Sequence, residues 1–234
     1  NVKVFIDYFY YCDWNAGKAI VGTVSGTSIS FGSEVTFESQ TINDVVLEYD
    51  SANSKVVVAY RNGGSSGQGM ARVGTVSGTS ISFGSSTTFQ SSGTSSIGAT
   101  YDSTNQKVVI AYRDESNLKG KAVVGTVSGT SISFGSPVIF GSSGVYWTSA
   151  VYDSTNGKVV IVYQDNGNSS YGTAIVGTVS GTSINFPSSP IVFEYAQSNF
   201  ISATYDSTNS KVVIAYQDQG NSRYGTAIVG TVSG

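Results

Sequence analysis

Three short phrases recur along the chain at a nearly constant interval, and this internal repeat constrains the fold more than any other feature. The phrase Val-Gly-Thr-Val-Ser-Gly begins, at intervals of 52, 51, 52 and 53 residues, at Val21, Val73, Val124, Val176 and Val229. A lysine that precedes an apolar run and a tyrosine stands at Lys3, Lys55, Lys107, Lys158 and Lys211. Tyr-Asp-Ser starts at Tyr49, Tyr101, Tyr152 and Tyr205. Three phrases in one register indicate copies of a single structural unit.

Each unit is predicted to form four short strands, which we label a to d. In the third copy, strand a covers residues 97–101, strand b 107–112, strand c 122–127 and strand d 132–140. β-Branched and aromatic residues fill these segments, and Asp, Asn, Ser and Gly occupy the corners. Strand b is apolar without alternation, which predicts a strand buried on both faces of its sheet. No segment has a sustained helical period, so we expect almost no helix.

A repeated four-stranded meander of this length is typical of a β-propeller blade, so the sequence predicts an all-β fold and a β-propeller of about five blades. A stacked β-solenoid is the alternative, but its coils are shorter and do not account for hairpin turns inside each unit. The segment Tyr216-Gln217-Asp218, with the phrase at 225–234, resembles repeats in marine phage and bacterial surface proteins. This resemblance covers nearly the whole chain; it implies a repeat fold and little chemistry.

The repeat divides a single predicted domain, residues 1–234, into units at 1–43, 44–95, 96–146, 147–199 and 200–234. The first unit opens at strand b and the last stops after strand c, so the first and last blades are expected to be incomplete. Three expectations stay open: five blades close imperfectly, the chain is part of a longer array, or a neighbouring molecule supplies strands. The third predicts self-association by strand addition at an unpaired edge.

The copies differ from one another mainly on one side of the predicted blades. Strand direction alternates in a meander, so the a–b and c–d turns lie on one rim and the b–c and d–a loops on the other. The turns on the first rim, such as 102–106 and 127–131, are nearly identical in all copies, whereas the loops on the second rim vary and contain both tryptophans. We call these the uniform rim and the variable rim.

The variable rim is predicted to bind a glycan or a glycosylated surface. Flat aromatic faces suit the apolar side of a sugar ring, Asp and Arg bond sugar hydroxyls, and exposed aromatics are typical of binding surfaces. The predicted ligand-binding residues are Tyr11, Trp14, Arg113, Asp114, Trp147, Asp165, Tyr171, Asp218 and Tyr224. Two structural alternatives stay open, in which the aromatic side chains pack between blades and the aspartates cap their own loops. The aspartates after the Tyr of strand a are instead expected to accept backbone N–H bonds in tight turns.

Composition excludes several other chemistries. The chain has no histidine and one cysteine, Cys12, which excludes a Ser-His-Asp triad, an imidazole metal site and an internal disulfide. A net charge of −3 disfavours nucleic acid as a partner, and no apolar stretch is long enough to be inserted in a membrane as a helix. We expect no cofactor and no bound metal.

The acidic residues do not form a predicted active site. A propeller glycosidase needs several unlike carboxylates at the axis, and the sequence offers Glu48 as the best single candidate, with Asp7 as a second irregular acid. We therefore expect a non-enzymatic recognition or adhesion module, located outside the cell or on a virion surface. The alternative is a structural subunit of an extracellular filament or virion surface, and a glycosidase is the third hypothesis.

Overall fold

The computed structural model describes residues 2–9 and 16–233, with side chains from residue 16 onward. These residues are all-β, as the sequence predicted, with two short 3-10 turns (Gly63–Ser65 and Asn166–Asn168) and no α-helix. No helix in this part of the chain is long and apolar enough to cross a membrane. The strands are β1 (Val2–Phe9), β2 (Ala16–Ser25), β3 (Ser28–Phe31), β4 (Val35–Asp50), β5 (Lys55–Asn62), β6 (Gln68–Ser77), β7 (Ser80–Phe83), β8 (Thr87–Asp102), β9 (Lys107–Asp114), β10 (Lys119–Ser128), β11 (Ser131–Phe134), β12 (Val138–Gly141), β13 (Val145–Asp153), β14 (Lys158–Asp165), β15 (Tyr171–Ser180), β16 (Ser183–Asn185), β17 (Ile191–Asp206), β18 (Lys211–Asp218) and β19 (Tyr224–Gly230).

The strands pair in antiparallel hairpins within each unit. In the third unit, β9 is strand b and β10 is strand c, and the second half of β8 pairs with β9 as strand a. Strand d consists of two short strands, β11 and β12, which pair with different halves of β10. The prediction of one continuous strand d over 132–140 is therefore wrong, because residues 135–137 separate its two parts.

At three of the four junctions between units, the connection from strand d to the next strand a is a continuous crossing strand rather than the predicted loop; between the third and fourth units, residues 142–144 separate β12 from β13. β4, β8 and β17 each run for 16 residues from one unit into the next. The first half of β8 pairs with β6 of the second unit, and its second half pairs with β9 of the third. Its Ser- and Thr-rich middle has the composition of a loop. The segment is nevertheless a strand, because each half pairs with a strand of a different unit.

The core lies between successive units, on both faces of strand b. Val108 and Ile110 pack in the cluster shared with the second unit, whereas Val109 and Ala111 pack in the cluster shared with the fourth. All four side chains are fully buried. The prediction that strand b is buried on both faces is confirmed in the second, third and fourth units, where these clusters hold each unit against its neighbours. In the fifth unit, alternate residues of β18 are buried.

Hydrogen bonds between segments show which connections share a rim. On the variable rim, the Thr94 N–H in a crossing strand donates to the Gly67 carbonyl of a b–c loop at 2.8 Å. On the uniform rim, the Tyr152 hydroxyl donates to Thr104 Oγ1 in the a–b turn of the preceding unit at 2.6 Å. The crossings and b–c loops thus lie together, as the antiparallel pairing requires.

Candidate functional site

Each crossing carries one residue with a left-handed backbone on the variable rim. These residues share one position of the repeat, none is glycine, and their φ angles are 46°, 50°, 51° and 50° at Asp44, Ser96, Trp147 and Phe200. The strand ladder shifts register at this point in all four copies. An extra residue in one strand of an antiparallel pair forms a β-bulge, which bends the strand and re-aims a side chain. We call these positions the rim bulges.

The rim bulges hold their residues in a strained conformation. A left-handed backbone costs a non-glycine residue about 1–2 kcal/mol, and it is least common for bulky side chains such as those of Trp147 and Phe200. The ladder persists around the bulge, since β13 pairs with β14 at residues 145–146 and again at 149–153. Backbone strain sustained by its surroundings is concentrated at functional sites, and we therefore place the candidate site at the rim bulges.

Two of the rim bulges present a pair of aromatic rings to solvent. Trp147, a predicted binding residue, lies beside Phe200 with 4.4 Å between ring centroids and 46° between ring planes. The two side chains are 40% and 61% exposed. The rings therefore contact each other while much of their apolar surface faces outward, which is typical of a binding surface.

The other two rim bulges present polar groups. The Ser96 N–H donates a hydrogen bond to Asp44 Oδ2 at 3.2 Å, and the Asp44 side chain is exposed. Neighbouring crossings thus contact each other through their bulges both at the Asp44–Ser96 pair and at the aromatic pair. The same backbone feature carries a carboxylate, a hydroxyl and two aromatic rings.

Arg113, another predicted residue, lies at the end of β9 with one donor group unused. Its Nη2 donates to Glu115 Oε1 at 2.6 Å, and its Cζ lies 4.1 Å from the ring centroid of Tyr146. Burial raises the pKa of Glu115, but hydrogen bonds from Ser95 and Arg113 outweigh it and lower that pKa. Arg113 Nη1 is buried and has no hydrogen-bond partner among the described residues. The guanidinium is therefore held between Glu115 and the Tyr146 ring, and its unpartnered Nη1 is shielded from solvent.

Asp114 is bound within its own loop. Its side chain is buried, the Lys121 ammonium donates to Oδ2 at 2.7 Å, and the Ser116 N–H donates to Oδ1 at 3.0 Å. Burial opposes ionisation, but these bonds hold the pKa of Asp114 well below its usual range. Its carboxylate shapes the b–c loop instead of projecting from the rim.

The other two predicted aspartates also accept bonds from their own b–c loops. Asp165 accepts from the Gly167 N–H at 3.1 Å, and burial raises its pKa despite that bond. Asp218 accepts from the Gly220 N–H at 2.8 Å. These contacts correspond to the capping alternative that the sequence left open.

Tyr171 and Tyr224, both predicted binding residues, open strand c in the fourth and fifth units. The ring of Tyr171 contacts that of Tyr195 edge-on, with 5.6 Å between centroids and 67° between planes. Tyr195 is 75% exposed and Tyr224 is 64% exposed. These rings form a second aromatic region of the variable rim, and Tyr195 was not among the predicted ligand-binding residues.

Sequence reasoning selected only part of this site. The predicted residues Tyr11 and Trp14 lie outside the described residues. Phe200 and Ser96 were not selected, although they occupy the same position of the repeat as Trp147. An alignment of the internal copies shows that these residues share one position of the repeat. It does not reveal the left-handed backbone there, because Asp, Ser, Trp and Phe have no common feature that predicts a positive φ.

The strand a segments of four units line an open cavity of about 350 Å³. Equivalent positions of strand a face it in four units, at Glu48, Thr100, Val151 and Thr204. Burial raises the pKa of Glu48 to about 7, although a hydrogen bond with the Tyr101 backbone opposes the rise. Glu48 is the one carboxylate that lines this cavity among the described residues.

Comparisons with known proteins show a fold relationship. No protein-family model matches the chain, and no curated protein matches it in sequence. Among solved structures, it is similar to AofleA from Arthrobotrys oligospora, with a TM-score of 0.58 and 10% identity over 97% of this chain and 68% of that chain. A mutant of AofleA with three arginines replaced by alanine gives a TM-score of 0.60 and 11% identity over the same shares. The Hadza microbial sialidase Hz136 has a TM-score of 0.47 and 9% identity over 93% of this chain and 52% of that chain.

Proposed function

We propose that this protein is a non-enzymatic recognition module that binds glycans through its variable rim. The observation that carries the proposal is the exposed Trp147–Phe200 ring pair on two strained rim bulges. Aromatic rings that keep their faces in solvent present an apolar surface to a partner. The C–H face of a pyranose matches such a surface in size and polarity.

The proposal includes a β-propeller of about five blades as the scaffold. The crossing strands β4, β8, β13 and β17 contact one another in succession, and their strand a portions line one cavity. The fold likeness to AofleA extends over 97% of the chain, which supports a single architecture throughout. The arginines replaced in the AofleA mutant stand at intervals of 53 residues, close to the repeat interval of this chain.

Polar groups of the variable rim would bond sugar hydroxyls. The Asp44 carboxylate, on the rim bulge that contacts Ser96, is exposed and is an acceptor for such bonds. The Arg113 charge is balanced by Glu115 at 2.6 Å, so the site favours neutral sugars over strongly anionic ones. We extend the proposal to an extracellular or virion-surface location, where glycans are accessible.

The distribution of carboxylates supports binding without hydrolysis. Glycosidases place two carboxylates on either side of the scissile bond. Among the residues whose side chains are described, which do not include Asp7, Glu48 is the one carboxylate that lines the cavity, beside the Thr and Val residues of other units. On the variable rim, Asp114 is engaged by Lys121 and by its own loop.

A glycan array followed by titration tests this function. We expect the folded protein to bind at least one neutral glycan, and Trp147→Ala or Phe200→Ala to weaken that binding by roughly tenfold or more. The matched control is Ile139→Ala, because Ile139 is 49% exposed but lies in β12, away from the rim bulges. This control should leave the affinity unchanged.

Two results would count against the function. A folded protein that binds no glycan on the array would overturn it. Equal loss of binding in the Ile139→Ala control would show that the rim bulges are not the site.

A further inference from the structure

A second pair of aromatic rings lies on the same crossing strand as Phe200. Tyr195 of β17 contacts Tyr171 edge-on and is 75% exposed. Tyr195 precedes Phe200 by five residues, which is a separation of up to about 16 Å along an extended strand. This segment of β17 therefore carries one ring pair near each end, and a single pyranose ring is too small to contact both pairs.

The exposure of Tyr195 is a property of its position in the repeat. The equivalent residues at the other junctions between units are Ser39, Ser91 and Ser142, and all three are exposed. A side chain at this position thus faces solvent in every copy. The junction between the fourth and fifth units places an aromatic ring there, where the other junctions place a small hydroxyl.

Side-chain amides line the surface between the two ring pairs. Gln197 is exposed, and its Nε2 donates to Asn199 Oδ1 at 3.3 Å. The same oxygen of Asn199 accepts a hydrogen bond from Gln164 Nε2 at 2.7 Å. An amide group offers both donors and an acceptor and carries no charge. These groups therefore suit the hydroxyls of a neutral sugar, which also donate and accept.

The amides replace charged residues of the earlier units. The last residue but one of strand b is Arg61 in the second unit and Arg113 in the third, but Gln164 in the fourth and Gln217 in the fifth. Arg113 forms an ion pair with Glu115 at 2.6 Å, and an amide makes no such pair. The side chains that line the surface between the ring pairs are thus neutral, which favours a neutral ligand.

Backbone hydrogen bonds hold this segment of β17 from both sides. The Ser198 N–H donates to the Ser170 carbonyl in the b–c loop of the fourth unit at 3.1 Å. The Gln219 N–H, in the b–c loop of the fifth unit, donates to the Gln197 carbonyl at 3.0 Å. The two ring pairs are therefore carried on a backbone that is already ordered, which reduces the cost of binding.

We propose that this segment of β17 binds an unbranched chain of several neutral sugars. One subsite is the Trp147–Phe200 pair, the other is the Tyr171–Tyr195 pair, and the Gln197 amide bonds a hydroxyl of a sugar between them. We call this surface the β17 strip. The inference rests on the proposed function and names its ligand class, an extended neutral oligosaccharide. A chain that reaches both subsites gains affinity, because its second contact is intramolecular.

Calorimetric titration with linear oligosaccharides of increasing length tests the β17 strip. The probes are malto-, cello-, manno- and chito-oligosaccharides, each from the monosaccharide to the hexasaccharide. We expect the affinity in at least one series to rise by roughly tenfold or more from the monosaccharide to the hexasaccharide. Tyr195→Ala should abolish this rise, and Tyr195→Phe should retain it because the ring makes the contact. Tyr49→Ala is the matched control and should retain the rise, because Tyr49 is 47% exposed but lies next to an a–b turn, on the uniform rim.

The outcomes separate the β17 strip from glycan binding itself. Equal affinity for the monosaccharide and the hexasaccharide would overturn the strip and leave the proposed function intact. A length dependence that folded Tyr195→Ala retains, or that Tyr49→Ala also loses, would do the same. If no member of these series binds, the strip is overturned, and the proposed function fails with it only when the glycan array is also negative.

Discussion

The uniform and variable rims use the repeat in different ways. On the uniform rim, an aspartate opens each of the four described a–b turns and accepts bonds from the backbone N–H and the side-chain amide of the Asn three residues on. In three of these turns it also accepts from the N–H two residues on, at Asp102, Asp153 and Asp206. On the variable rim, four bulges share one backbone conformation but carry four different side chains. The backbone conformation therefore repeats from unit to unit on both rims, whereas the residue type at the equivalent position repeats only on the uniform rim.

The difference follows from what makes each backbone shape. In the turn opened by Asp102, the side chain itself supplies the acceptor, so another residue would leave N–H groups unsatisfied. In the bulge at Trp147, the ladder before and after the residue sets its conformation, and the side chain takes no part in that pairing. A position of the second kind can change its side chain without changing the fold.

The largest expected effect is at the uniform rim. Asp102→Ala removes a fully buried acceptor of the Thr104 N–H at 3.0 Å, the Asn105 N–H at 2.9 Å and the Asn105 side-chain amide at 2.8 Å. Because buried unsatisfied groups cost about 1–3 kcal/mol each, we expect a loss of about 3–4 kcal/mol in the free energy of unfolding. Thermal and urea denaturation measure it.

The fifth unit supplies a control for Asp102→Ala. Asp206 accepts the same bonds in an exposed turn, where water can replace the carboxylate. Asp206→Ala should therefore reduce stability much less than Asp102→Ala. Equal losses at both positions would contradict the role of burial in this argument.

A second expected effect concerns Glu48, which replaces the Thr or Val of the other copies in the cavity lined by strand a, not on the variable rim. Its pKa is raised to about 7 by burial, from an ordinary value of 4.5. The folded state thus binds this proton more tightly than the unfolded state, and stability falls as the pH rises from about 4.5 to 7. We expect Glu48→Gln to be about 2 kcal/mol more stable than the unsubstituted protein at pH 8, because the half-buried side chain keeps part of its hydration.

Melting temperatures of both proteins across this pH range test that expectation. The advantage of Glu48→Gln should shrink as the pH falls through 4.5 and approach zero below about pH 3.5, where the carboxyl is protonated in both states. The contributions of the other titrating groups to stability are the same in both proteins and cancel in the difference. A stability advantage of Glu48→Gln that stays constant with pH would therefore contradict a raised pKa at Glu48.

The strands of each unit were predictable because local chemistry and tertiary environment agree there. Val108 to Ala111 are apolar on both faces and are buried on both faces. Asp102 has the side chain that its turn requires. The crossings were not predictable, because the Ser-, Thr- and Gly-rich middle of β8 has the composition of a loop, and it is strand only because two different sheets accept its two halves.

The candidate site was predictable to the extent that it depends on residue type. Trp147 and Arg113 were selected because they lie in variable loops and because an aromatic ring can stack on a sugar face and a guanidinium can bond sugar hydroxyls. The role of Asp114 could not be decided from sequence, since a loop cap and a ligand acceptor use the same carboxylate. Its contact with Lys121, two strand positions into β10, settles which bonds it makes. The rim bulge itself depends on a positive φ, which cannot be predicted from a serine such as Ser96 or a tryptophan such as Trp147.

The smallest expected effect tests whether the rim bulge is imposed by its surroundings. Ser96 has a φ of 50°, and its own backbone N–H bonds Asp44, so its side chain is not needed for that contact. Ser96→Gly should relieve left-handed strain of about 1–2 kcal/mol, offset in part by about 0.5–1 kcal/mol of glycine entropy in the unfolded chain. We expect a net gain of about 0.5 kcal/mol, measured as a rise of about 1–2 °C in Tm. Ser96→Ala keeps the strain and should not share the gain, whereas an equal gain in both variants would mean that the side chain, and not the backbone, is strained. If Ser96→Gly instead lowers Tm, the bulge depends on its side chain in the way that the turn at Asp102 does, and the contrast between the two rims fails.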